Sequence, residues 1–317
     1  MEFIRGIHNI KPHHQGCIAT IGNFDGVHLG HQTILQQITR QAQKTKNRSC
    51  VIIFEPQPKE FFLKGLAPKR ICDLRQKLIF FAEHQIDQVL CINFNNKFKQ
   101  LSADNFINEF LLKKLKVHTL YIGEDFKYGN DRIGNFNHLT SFATNNNFTV
   151  HIVPKFIKDN KKISSTLIRQ LLQNNNLPTA NKVMGHPFTI TGKVITGNQY
   201  GRELGFPTAN IALKKTNIPI NGVFIVRVMI EKSIFFGVAN IGLRLSIDNQ
   251  HPILEVYILN FNQDLYGRFI KVEFIKKLRQ TQKFSSMDKL AEAIKQDVIQ
   301  ANQFIKKLKD EFNIFNG

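Results

Sequence analysis

Apolar residues fall in two rhythms along this chain, and the rhythm changes near its middle. In the first half, strand-like runs at residues 17–22, 50–54, 88–94, 117–123 and 148–153 alternate with longer stretches, 29–44, 73–85 and 102–115, whose apolar positions recur every three or four residues. Strand and helix in alternation bury a parallel sheet between helices through right-handed crossovers, and ligands of such open α/β layers sit beyond the carboxyl ends of the strands. Past the polar stretch Gln173-Asn174-Asn175-Asn176, strand-like runs follow near 188–197, 222–230, 234–241, 252–261 and 269–276. They are too closely spaced for helical crossovers, which predicts a small antiparallel barrel or sandwich. Met287, Leu290, Ile294, Val298, Ala301, Ile305 and Leu308 then form one apolar stripe, the mark of a terminal helix packed on that barrel.

At 317 residues the chain accommodates two domains, and the change of rhythm divides it into 1–183 and 184–317. No apolar run is long enough to span a bilayer and the first residues lack the apolar core of a signal peptide, so a cytoplasmic protein is expected. Cys17, Cys50, Cys72 and Cys91 form no CxxC pair, and the expectation is reduced thiols without zinc. The net charge of +19 suits either a polyanion or small anionic substrates such as ATP. The lysines are scattered and no zinc-finger, ribonucleoprotein or dense basic motif is present, which favours phosphate attraction over a nucleic-acid surface.

Two constellations carry chemistry. The first, GNFDGVHLGH (22–31), runs from the first strand through a Gly-rich turn into a helix, where backbone N–H groups and the helix N-terminus favour phosphate. His28 and His31, three apart, share a helix face. A metal is the other use of such a pair, but no third ligand lies nearby in the sequence. In ISSTLIR (163–169) the hydroxyls cap a helix, and Arg169 follows one turn in. Together with FEPQP (54–58) and GEDFKYGNDRIG (123–134), these segments resemble the FAD synthetase branch of the HxGH nucleotidyltransferases. The resemblance implies a Rossmann-like domain that transfers AMP from ATP to FMN. It implies catalytic roles for His28, His31 and Arg169, ATP contacts at Gly22, Asn23, Phe24, Asp25, Gly30, Ser164, Ser165 and Thr166, and a flavin contact at Asp125. Two departures stand out: Gln57 occupies the place of a usual histidine, and Lys127-Tyr128 that of Arg-Phe.

The second constellation begins at Gly185 and contains spaced glycines, but no GxxxxGK[ST]. Thr208 and Asn210, two apart in an extended segment, face the same way and offer two neutral oxygens suited to magnesium held by ATP. Glu255 interrupts an otherwise apolar strand. Buried without a partner, such a carboxylate has a raised pKa and serves as a general base; on a solvated face it is unremarkable. The segments PTAN (207–210), GVANIG (237–242), LEVYILNFNQDLYG (254–267), VEFIKKLR (272–279) and KQDVIQA (295–301) resemble riboflavin kinase. That likeness implies a six-stranded barrel with a terminal helix, Mg2+ with ATP at Thr208 and Asn210, and ATP contacts at Gly197, Gly201 and Arg202. It also implies flavin contacts at Asn240 and Arg244, and Glu255 as the base for the riboflavin 5′-hydroxyl. The order of the halves is that of bifunctional bacterial riboflavin kinase/FAD synthetases, whose substrates are riboflavin, FMN and ATP. Two readings compete with it: a riboflavin kinase whose first domain has degenerated, suggested by Gln57, and a flavin-responsive nucleic-acid-binding regulator, suggested by the charge.

Overall fold

The computed structural model describes residues 1–130, 132–146, 148–197, 200–213, 218–245 and 250–315. Six strands, β1 (Glu2–Arg5), β2 (Cys17–Ile21), β3 (Arg48–Glu55), β4 (Gln88–Asn93), β5 (Thr119–Gly123) and β6 (Thr149–Val153), form one sheet in the order β1-β4-β3-β2-β5-β6. Every neighbouring pair is parallel. Successive residues alternate between two apolar layers, as a sheet covered on both faces demands. Cys17, Ala19, Ile21, Cys50, Ile52 and Phe54 meet Ala103, Phe106 and Phe110 on one face. Ile18, Val51, Ile53 and Val89 meet Leu35, Ile38 and Phe81 on the other, supplied by helices α1 (Leu29–Thr45) and α3 (Leu74–Glu83). The chain goes from β2 outward through β3 and β4, then returns to the other side of β2 with β5 and β6. That reversal opens a crevice at the carboxyl ends of β2 and β5, where open α/β sheets bind ligands.

The pattern of the first half appears with small shifts. The stretch 102–115 is a short helix, Ala103–Asn105, that runs into a π-helix, Phe106–Lys114. The edge strand β1 and the helix α2 (Pro58–Leu63) were not expected, each being too short to impose a period. After β6 comes a two-stranded hairpin, β7 (Ile157–Lys158) with β8 (Lys161–Lys162), and then a helix, Ser165–Gln173.

The second half contains β9 (Thr189–Ile195), β10 (Thr208–Ala212), β11 (Gly222–Ile230), β12 (Ser233–Leu245), β13 (Gln250–Ile258) and β14 (Phe269–Arg279). They close into an antiparallel barrel in the order β10-β13-β12-β11-β14-β9. Phe188, Phe224 and Phe274 pack ring to ring within it. The terminal helix Met287–Phe315 lays Val298, Ala301 and Ile305 against Val223, Ile225 and Val238 on the barrel's outer surface. Met287, the first member of the expected stripe, is exposed instead. By its internal contacts the chain divides into two compact units, Met1–Pro68 with Cys72–Leu167, and Lys69–Ile71 with Ile168–Gly317. Among the described residues no helix is long and apolar enough to cross a membrane.

One buried ion pair ties the terminal helix to the barrel. The Arg279 guanidinium reaches Asp297 through Nε at 2.9 Å and Nη2 at 2.7 Å, and the Asp297 side chain is almost wholly buried. Asp297→Ala leaves the arginine without its anion. Because that arginine keeps some exposure, the loss is about 2–3 kcal/mol, below the roughly 3–5 kcal/mol of a fully buried pair. Chemical denaturation of the intact chain, followed by a probe in the barrel, measures it.

Candidate active sites

In the first unit the sequence motifs converge on the carboxyl edge of the sheet. GNFDGVHLGH follows β2, FEPQP ends β3, and GEDFKYGNDRIG follows β5. The turn from β2 to α1 is strained: Phe24 (φ 47°) and Val27 (φ 33°) adopt positive φ beside Gly26 (φ 81°). This region is disfavoured for side chains with a Cβ, and most of all for a β-branched valine. Side chains remote in sequence hold the turn. The Gly26 N–H donates to Cys72 Sγ at 3.0 Å, the Cys72 N–H donates to Asp25 Oδ1 at 3.2 Å, and Ser165 Oγ donates to the Asp25 carbonyl at 2.8 Å.

Asp25 is therefore buried and turned into the protein, so its part in a phosphate site is to shape the turn. Gly22 leads into the turn with its N–H on the Ile52 carbonyl, and Asn23 is partly exposed on it. His28 caps α1, its Nδ1 accepting from the His31 N–H at 3.3 Å, and the two rings stack with centroids 3.7 Å apart. A neutral His28 that accepts at Nδ1 carries its proton on Nε2. Burial first, and then the electrostatic influence of His28 and of Lys77, hold the His31 pKa well below its usual value. Its Nδ1 is buried without a hydrogen-bond partner. Gly30 lies against Phe156 and the His28 ring, where a Cβ would come within 3.1 Å of Phe156 Cβ.

Gln57 is only 6% exposed, and its Nε2 also lacks a partner. Its backbone N–H donates to Glu60 Oε2 at 2.9 Å at the start of α2. Beside it lies a cluster the sequence reading missed: Phe54, Phe61, Phe62, Phe94 and Phe98 stack edge-on or tilted at 5.4–5.8 Å, with Phe62 52% exposed. The abundance of phenylalanine in the chain concealed this gathering, since its members come from three separate segments.

Asp125 is exposed and already paired, with Lys162 Nζ at 2.5 Å and Lys155 Nζ at 3.4 Å, and its pKa is lowered chiefly by Lys162. Tyr128, one of the two departures, is buried, and its hydroxyl meets His138 Nδ1 at 2.6 Å, which satisfies the oxygen that phenylalanine lacks. Burial raises its pKa. Ser164 Oγ accepts from the Leu167 N–H at 3.3 Å as a helix cap, and Thr166 is exposed. Arg169, which belongs to the second compact unit, donates from Nε to the Lys69 carbonyl at 2.6 Å.

On the barrel, register decides the site. Glu255 on β13 is paired with Asn210 on β10 and with Asn240 on β12. Leu254 and Val256, fully buried, alternate with Glu255 and Tyr257, so these two project from the outer face of the barrel. Asn240 Nδ2 donates to Glu255 Oε2 at 3.4 Å, and Thr281 Oγ1 donates to Asn240 Oδ1 at 3.3 Å. Glu255 is thus half-buried and partnered, which differs from the unpartnered burial considered for it. Thr281, in the loop after β14, carried no sequence signal. Asn210 is buried and donates from Nδ2 to the Thr208 carbonyl at 3.2 Å. At Gly197 a Cβ would stand 2.3 Å from Asn210 Nδ2, so only glycine lets this loop approach. Gly201 closes a tight turn, accepting from the Phe206 N–H at 2.6 Å, and Arg202 is exposed. Arg244 lies in β12, and its side chain falls outside the described residues.

Comparison with known proteins finds relatives for both halves of the chain. The family model for FAD synthetase matches residues 10–167 and that for riboflavin kinase residues 184–305. A bifunctional riboflavin kinase/FMN adenylyltransferase of Pseudomonas fluorescens is 43% identical, over 95% of this chain and 97% of its own. The protein of the same description from Escherichia coli K12 is 42% identical, over 96% and 98%. Among solved structures, one from Streptococcus pneumoniae described as a macrolide-efflux protein aligns with TM-score 0.79 at 28% identity, covering 95% of this chain and 99% of that one. With both family models matched in order, and relatives covered over nearly their full length, this chain belongs to the bifunctional riboflavin kinase/FMN adenylyltransferases.

Proposed function

We propose that the two activities divide between the two sites as follows. In the first unit the turn 22–28 and the start of α1 receive the triphosphate of ATP, and the FMN phosphate attacks its α-phosphorus, expelling pyrophosphate. No protein nucleophile is needed, because the FMN phosphate is already an anion. His28, with its proton on Nε2, and His31 would donate to phosphate oxygens as negative charge grows, the preorganised electrostatic form of catalysis. The unpaired ring nitrogen of His31 and the unpaired amide nitrogen of Gln57 support this, since buried polar atoms without partners are costly and rare in native proteins. The exposed face of Phe62 offers an aromatic platform for the flavin ring.

On the barrel, Glu255 is read as the general base that takes the proton of the riboflavin 5′-hydroxyl as that oxygen attacks the γ-phosphorus of ATP. The register that puts Glu255 between Asn210 and Asn240 is the observation that carries this reading. Asn210 commits its amide N–H to the Thr208 carbonyl, which leaves its Oδ1, two residues from Thr208 along the same strand, as a hard neutral ligand that would fit Mg2+. When bound there, the cation would neutralise phosphate charge on ATP. Gly197, Gly201 and Arg202 would line the ATP side, and Asn240 and Arg244 the flavin side. The boundary near 183/184 and action in the cytoplasm, on riboflavin, FMN and ATP, complete the reading.

Three measurements test it. His31→Ala should lower FAD formation about 100- to 1000-fold, roughly 3–4 kcal/mol, while FMN formation stays unchanged. Equal loss of both would point to misfolding. Glu255→Gln keeps the shape but accepts no proton, so FMN formation should fall about 100- to 10,000-fold while FAD formation from supplied FMN continues. A glutamine variant with the wild-type kinase rate would remove Glu255 from the role of base. Gln57→His should change the KM for ATP or the rate in FAD synthesis alone, and no change in either would make the position structural.

A further inference from the structure

The buried hydroxyl of Tyr128 begins a hydrogen-bonded chain of three side chains. It meets His138 Nδ1 at 2.6 Å, and His138 Nε2 meets Asp104 Oδ1 at 2.9 Å. A carboxylate only accepts, so the imidazole proton sits on Nε2 and points to Asp104, and the neutral ring takes the phenol O–H at Nδ1. Burial, and then the Asp104 carboxylate, push the Tyr128 pKa up, which keeps that phenol protonated. The chain joins three segments: Tyr128 lies in the loop after β5, His138 in the helix Phe136–Asn145 and Asp104 in the short helix Ala103–Asn105. His138 is itself fixed, its N–H donating to the capping Asn135 Oδ1 at 3.0 Å. A buried phenol needs one partner to be satisfied, and this one is tied through an imidazole to a second helix as well.

The backbone of the loop is fastened at the same place. The Asn130 N–H donates to the Leu101 carbonyl at 3.0 Å, and at Gly129 (φ 81°) a Cβ would stand 2.8 Å from the Ala103 nitrogen. Tyr128 and Gly134 exchange backbone hydrogen bonds at 3.1 and 3.2 Å. Tyr128 also extends the aromatic cluster that begins at Phe62. Phe62 meets Phe94, Phe94 meets Phe98, Phe98 meets Phe106 and Phe106 meets Tyr128, with ring centroids 5.7, 5.8, 6.3 and 5.0 Å apart. Phe126 then stacks on Tyr128 at 5.6 Å with the rings 20° from parallel. Phe126 is half-buried, three residues past the carboxyl end of β5, where the crevice opens. The place of the Tyr128 ring therefore sets that of Phe126, and His138 with Asp104 sets the place of Tyr128.

We infer that His138 and Asp104 are positioning residues for the flavin substrate of adenylylation, holding Phe126 and the loop 124–130, through Tyr128, where the FMN ring enters. The inference rests on the first unit being the adenylylation site with the flavin on its aromatic side. FAD formation by the wild-type chain tests that reading, and its absence would remove the substrate named here, while hydrogen exchange of the loop still decides whether His138 holds it. Both are measured on the full-length chain, with FMN and ATP varied separately in the kinetics. His138→Leu should raise the KM for FMN about 10-fold and leave kcat and the KM for ATP within about threefold of wild type. FMN formation should be unchanged, and the N–H groups of Tyr128, Asn130 and Gly134 should exchange faster. His138→Gln, whose amide both accepts and donates, should restore most of the affinity for FMN. In a Tyr128→Phe background His138→Leu should change the KM for FMN by less than about twofold, because the histidine acts through the phenol. A folded His138→Leu chain with the wild-type KM for FMN overturns the proposal. So does an equal rise in both KM values, or the same rise in the Tyr128→Phe background, either of which would make His138 structural. Unchanged exchange in the loop overturns it whatever the kinetics. Should His138→Leu fail to fold, Asp104→Ala, at an exposed side chain, carries the same test in the same direction.

Discussion

A strained turn of seven residues, between the end of β2 and the start of α1, is the constraint on which the first active site depends. Phe24 and Val27 at positive φ cost of the order of 1–3 kcal/mol each, and such conformations persist only where the surroundings over-determine them. Here the surroundings are Cys72, which grips the turn through its thiol and its N–H, and Ser165, which grips the Asp25 carbonyl. The turn thus exists because segments about 50 and 140 residues further along the chain close on it. The N–H groups and histidines of the turn are therefore held in place by the fold itself, which is what the proposed phosphate site would require.

The two units solve the same problem, transfer of a phosphorus group from ATP, by different physical means. In the reading proposed here, the first would use a helix N-terminus, a glycine-bearing turn and buried donors. The second would use the outer face of a barrel, where neighbouring strands bring Asn210 and Asn240 to either side of one carboxylate. The difference follows from the nucleophile. FMN brings its own anion and needs only stabilisation of the charge it displaces, whereas riboflavin brings a hydroxyl and needs a base.

The departures from the family's usual motifs are locally consistent. Tyr128 adds a hydroxyl to a buried aromatic site, and His138, itself 2.9 Å from Asp104, provides for it. Gln57 replaces an imidazole with a buried amide that is still a donor, just past the carboxyl end of β3. The substitution removes a group that can carry charge and keeps one that can donate, without emptying the position.

The sequence by itself determined the order of layers: alternating apolar periods predicted a parallel sheet covered on both faces, then a small antiparallel barrel or sandwich, then a helix, because burial has a period of two in strands and nearly four in helices. It also disclosed the residues that stand together in short motifs, such as His28 with His31 and Thr208 with Asn210, since neighbours in sequence share a turn or a strand face. Only the tertiary structure decided which distant groups meet. Nothing local marks Cys72 as the clamp of the turn after β2, Thr281 as a partner of Asn240, or five phenylalanines as one cluster. Those relations depend on strand order and register, which are fixed by the packing of the whole unit and leave no period in the chain.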